Sequence, residues 1–147
     1  MRTLWLALER KRDKARFKKN MPAIRTTIPS GYPLEDSYGY ARAVRVGPHI
    51  FVSGTTARTP HLEANAYVQM RAAIATVAAA LSEAGAELRH VVRTVVYAVD
   101  LADGDHIARA HQEAFGASRP ASTLVQVAGL TPASALVEIE VTAFVHD

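Results

Sequence analysis

Two carboxylates separated by one residue, Glu138 and Glu140, are the pair in this chain best spaced for acid–base chemistry. On a strand they share a face, with Cα atoms roughly 6.5–7 Å apart from the strand rise. If desolvated, carboxylates that close split their pKa values into an acid and a base. On a solvated face the same spacing does nothing, and spacing alone favours neither reading. A second polar set surrounds Pro120, in the run Arg119-Pro120-Ala121-Ser122-Thr123-Leu124-Val125-Gln126-Val127. Proline fixes φ and lacks an N–H, so it belongs at the first position of a strand or on an edge. Beyond it Ser122, Leu124 and Gln126 take one face, and Thr123, Val125 and Val127 the other. Neither face is purely apolar, which points to an interface or a pocket.

The other reactive side chains lack partners at useful spacing. There is no cysteine, hence no thiolate nucleophile, disulfide framework or cysteine zinc site. The six histidines (49, 61, 90, 106, 111 and 146) contain no i,i+4 pair and no HExxH, and His106 and His111 do not share a helix face, so no metal is expected. Ser53 lacks the flanking glycine of a nucleophile elbow. Neither GxGxxG nor GxxxxGK[ST] occurs, so no nucleotide cofactor is implied.

The elements that must position these residues follow from periodicity. Residues 22–38, without clear period, read as an extended lead-in. Tyr40–Val46 alternates, Gly47-Pro48 turns the chain, and His49–Ser53 returns, giving a hairpin that ends in the small residues Ser53-Gly54-Thr55-Thr56. Thr59 and Pro60 fit the N-cap and first turn of a long helix, on which Met70, Ile74, Val77, Leu81 and Ala84 recur at 4, 3, 4 and 3 until Gly85. Val91–Val99 reads as a strand buried on both faces. Asp100 or Asp103 can cap a second helix carrying Ile107, Ala110, His111, Ala114 and Phe115 up to Gly116. The 119–127 strand and a last strand from Leu136 to Val145 complete a β-β-α-β-α-β-β order. This is an α+β sheet with both helices on one face.

At 147 residues, 49% hydrophobic and 21% charged, the chain suits a single globular core. No apolar run approaches the ~20 residues of a membrane span, and Leu4 to Leu8 is too short for a secretory signal, so a cytoplasmic protein is expected. The net charge of +3 is unevenly spread. Residues 1–20 hold eight Lys/Arg against Glu9 and Asp13, which leaves +6 there and −3 on the remainder. A nucleic-acid surface would therefore have to lie in that tail. Met21, followed by Pro22, stands where composition shifts, so residues 1–21 are read as a basic extension with a second candidate start, and 22–147 as one domain.

From Tyr40 onward the chain resembles the Rid (YjgF/YER057c/UK114) family over about 105 residues. The resemblance rests on Val46-Gly47 leading to Phe51-Val52-Ser53-Gly54, on Val92-Arg93-Thr94 to Val99-Asp100-Leu101, and on Glu113-Ala114-Phe115. It rests also on Arg119-Pro120-Ala121 running into Val125-Gln126-Val127, and on Val137-Glu138-Ile139-Glu140. It implies a chorismate-mutase-like fold, a homotrimeric barrel with clefts between subunits, and hydrolysis of reactive enamines and imines made by pyridoxal-phosphate enzymes. Water is the nucleophile and no cofactor is needed. By position, the family's cleft tyrosine falls on Tyr40 and its water-positioning glutamate on Glu138. The arginine that grips the substrate carboxylate is replaced by Ser122. Ser122 and Thr123 would then offer hydroxyl and backbone hydrogen bonds, and Arg109 or Arg119 a substitute charge. The resemblance leaves two readings open: a deaminating hydrolase, or a non-catalytic trimer that binds a small metabolite.

Overall fold

The computed structural model describes residues 24–146, and the basic extension proposed for residues 1–21 lies outside them. Six strands form one sheet: β1 (Arg25–Ile28), β2 (Ala43–Val46), β3 (His49–Thr56), β4 (Val91–Ala98), β5 (Ala121–Gln126) and β6 (Val137–Phe144). Their spatial order is β1-β2-β3-β6-β4-β5, antiparallel except for the β4–β5 pair. Helix α1 (Leu34–Tyr38) follows β1, α2 (Ala66–Glu83) connects β3 to β4, and α3 (Gly104–Phe115) connects β4 to β5. Each of the last two connections joins parallel strands, which is why each needs a helix to cross back over the sheet.

One apolar layer holds the fold together. Val137, Ile139, Val141 and Ala143 of β6 and Ile50 and Val52 of β3 face the α2 stripe of Met70, Ile74, Val77 and Leu81, with Ile107, Ala110 and Phe115 of α3 beside it. Each such large side chain, fully buried, contributes about 1.5–3 kcal/mol. Both longer helices therefore cover the same face, as the periodicity predicts. Among the described residues neither longer helix covers the opposite face, with Phe51, Glu138, Glu140, Thr142 and Phe144. Arg45 at the C-terminal end of α2 donates to the Ala84 carbonyl at 2.6 Å, satisfying a group the helix leaves open.

Three sequence expectations change. The segment 22–38 is not merely extended: it gives β1, paired with β2, and the α1 turn, ended by Gly39 in the left-handed region at φ 69°. Helix α2 starts later than Thr59-Pro60, because the Asn65 side chain accepts the Val68 N–H at 3.1 Å and is the better cap. Strand β4 is closed on the helix side through Thr94, Val96 and Ala98, while on the other side Val95 is buried, Tyr97 partly covered and Arg93 exposed. Pro120 does precede an edge strand, and all six residues of β5 are exposed.

Candidate functional site

The loop between β1 and β2 is organised by one carboxylate. Glu35 accepts the backbone N–H groups of Ser30 at 2.6 Å, Gly31 at 3.2 Å and Arg42 at 3.2 Å. These bonds, that of Ser30 foremost, hold its pKa below the ordinary carboxylate value. The loop so folded turns Tyr32, Tyr38 and Tyr40 toward a cavity of about 540 Å³. Arg58 lies over the Tyr32 ring at 3.9 Å on the same wall.

Strand β3 supplies the floor. Its pairing with β6 shifts register between Val52 and Thr55, a bulge of the kind that re-aims side chains beside functional sites. Within the bulge Gly54 lies directly beneath Glu138: a Cβ there would overlap the carboxylate, with its Cδ only 2.9 Å away. The small residues that close the hairpin thus admit the glutamate. Ser53 is committed to structure, its hydroxyl donating to the Ala41 carbonyl at 2.7 Å.

Glu138 projects into the cavity from β6, half-buried. Burial pushes its pKa up, Arg42 pulls it partly back, and Glu140 raises it further. Glu140 shares the face but does not line the cavity. The paired carboxylates therefore have separate surroundings, and Glu138 is the one placed against a ligand. A desolvated carboxylate with a raised pKa is a better general base than an exposed one.

Arg42, which sequence reasoning missed, is 6% exposed and lines the same cavity. Its Nη1 donates to the Ser53 carbonyl at 3.4 Å, the Gly54 carbonyl at 2.9 Å and the Thr55 hydroxyl at 2.7 Å. Its Nε has no acceptor among the described residues. Desolvation is the chief influence on it and lowers its pKa.

The structure brings only two of the sequence-predicted site residues together: Tyr40 and Glu138. Ser122 lies on the helix side of the sheet, where its Oγ accepts from the Thr94 hydroxyl at 2.9 Å. The Thr94 oxygen in turn contacts His111 Nε2 at 2.9 Å. With Thr94 donating to Ser122, that nitrogen carries the proton, and burial favours the neutral imidazole by lowering its pKa. Thr123 shares the Glu138 face but sits on the edge strand outside the cavity. Arg109 is held on the outer surface of α3 by Glu113 at 3.2 Å and by the Tyr67 ring at 4.4 Å. Arg119 precedes β5 at φ 47°, exposed. Within one chain, neither arginine lines the cavity. Among the described residues no group of three or more His, Asp or Glu side chains is gathered for a metal.

Comparison with known proteins places these features in context. The family model described as Endoribonuclease L-PSP matches residues 33–145. An uncharacterized protein of Streptomyces coelicolor is 38% identical over 120 residues, covering 80% of this chain and 90% of its own. The crystal structure of Rv2704 from Mycobacterium tuberculosis, a member of the YjgF/YER057c/UK114 family, superposes with a TM-score of 0.78 at 39% identity. It covers 83% of this chain and 100% of its own. E. coli TdcF, solved with bound serine, is 25% identical with a TM-score of 0.69, covering 82% of this chain and 94% of its own.

Proposed function

The chain belongs to the endoribonuclease L-PSP family, the YjgF/YER057c/UK114 or Rid proteins, and on that premise we propose that it hydrolyses a small imine or enamine at Glu138. The observation that carries this reading is the half-buried Glu138 carboxylate, seated on Gly54 inside a cavity of metabolite size. The serine bound to TdcF supports a ligand of amino-acid dimensions.

In the proposed reaction Glu138 orients a water and accepts one of its protons as the oxygen attacks the imine carbon. Glu138 passes that proton to the imine nitrogen, which gives the carbinolamine. The carboxylate then takes the carbinolamine's hydroxyl proton and delivers it to the nitrogen as the C–N bond breaks, so the net change is addition of one water and loss of one ammonia. Tyr40 packs against the ligand. The protein works as a cytoplasmic homotrimer whose subunit junctions close the open side of the cavity. Exposed Phe51 and Val125 on the uncovered sheet face supply apolar surface for that contact. Among the described residues no helix is long and apolar enough to cross a membrane. The −3 charge of the chain beyond residue 20 argues against a polyanion such as RNA as the substrate.

The test is ammonia release from 2-iminobutanoate or 2-iminopropanoate generated in situ. Wild-type protein is expected to exceed buffer, and Glu138→Gln to lose at least about 100-fold, the usual scale of a removed general base. Absence of wild-type turnover, with ligand still raising thermal stability, would replace the hydrolase by a non-catalytic binding trimer.

A further inference from the structure

Resting on the reading that the cavity at Glu138 receives the small metabolite, we propose that Arg42 takes the ligand's carboxylate, the role that Ser122 is unable to fill. An arginine this deeply buried normally meets a carboxylate, because a desolvated unpaired cation is costly. Here all three acceptors are uncharged, all three are reached by Nη1, and Nε has none among the described residues.

The charged and titratable groups around Arg42 are Tyr40, Arg58, Glu35 and Glu138. Glu35 is occupied by three backbone N–H groups, including that of Arg42 itself. Glu138 feels Arg42 through space, yet no ion pair joins them among the described residues. The cavity lining therefore has two cations, Arg42 and Arg58, against one carboxylate, Glu138. This arrangement suits an anionic ligand. A 2-imino or 2-oxo acid carries its carboxylate one bond from its reacting carbon. Bound between the two groups, it would present that carbon to Glu138 and its charge to Arg42, in a charge-assisted contact.

A purely structural Arg42, tying the β3 bulge, would stabilise the fold without distinguishing acids from amides. The experiment therefore compares 2-oxobutanoate with its primary amide by calorimetric titration. Wild-type protein is expected to prefer the acid by about 10- to 100-fold. Arg42→Gln should bind acid and amide alike, and Arg42→Lys should be intermediate. If Arg42→Gln does not fold, Arg42→Lys and the wild-type guanidinium 15N resonances carry the test. Those resonances should move with the acid and not with the amide. The inference is overturned if wild type shows no preference or binds neither ligand, or if the preference persists in Arg42→Gln. It is also overturned if the preference is lost only in Arg58→Gln, or if the guanidinium signals stay still. Ammonia release reads Glu138 separately: acid preference through Arg42 without turnover keeps this assignment and removes the hydrolytic one.

Discussion

Glu138 and Arg42 act on each other across the cavity without touching, and that coupling has a sign. The carboxylate of Glu138 is disfavoured by burial and favoured by the cation. If it is the base, turnover should rise with pH through a value above the ordinary carboxylate range, a limb that Glu138→Gln deletes. Removing the Arg42 charge should move the limb higher still, and a pH–rate profile of Arg42→Gln checks this, with the charge-retaining Arg42→Lys as the control. Stability follows the same direction. A group whose folded pKa is raised contributes stability below its unfolded pKa and loses it as pH rises through the folded one. Thermal melts at pH 8 should accordingly find Glu138→Gln at least as stable as wild type. The glutamate was legible as one of a pair through the apolar–acidic alternation of Val137–Glu140, and only the family resemblance chose Glu138 over Glu140. The arginine was not, since Ala41-Arg42-Ala43 looks like any strand with a solvated side chain. Only the fold shows that the Tyr40 side of that strand is roofed by the 30–40 loop.

At the scale of elements, the β3 bulge decides where the glutamate goes. Gly54→Ala has no left-handed backbone angle to oppose it, so its effect should fall on the Glu138 carboxylate that a Cβ would displace. A shift near 1 Å in a catalytic group can cost about 100-fold, so turnover should fall on that scale while circular dichroism and melting change little. The periodic elements were readable: the apolar stripe of α2 and the alternation of β6 belong to side chains that make the core. What was missed lacks periodicity. Strand β1 is recognised only by its pairing with β2, and the α1 turn is held by a carboxylate bonding to backbone N–H groups, neither of which leaves an apolar pattern. The start of α2 went wrong because Thr59-Pro60 and Asn65 are both acceptable caps, and tertiary context chose the second. The Glu35 bonds that shape the loop weaken with acid, because a depressed pKa means stability lost as pH falls.

For the whole molecule, one chain gathers in the cavity two of the six residues named as site candidates on the family resemblance. Tyr40 and Glu138 share a cavity, while Ser122 and Thr123 lie on an exposed edge strand and Ser122 faces away from Glu138. A sequence aligns such residues in a line; it does not say which side of a sheet, or which copy of the chain, each serves. Light scattering is expected to give three times the 15.9 kDa chain mass, and Phe51→Asp, on the uncovered face, to shift it toward monomer. The most direct measurement is a crystal structure with 2-oxobutanoate, the carbonyl product of the proposed reaction. The account predicts density in the Tyr40 cavity, with the keto carbon beside Glu138 and the carboxylate on Arg42. Product bound on the Ser122 side of the sheet, or held by Arg109 or Arg119 with the Glu138 cavity empty, would contradict it.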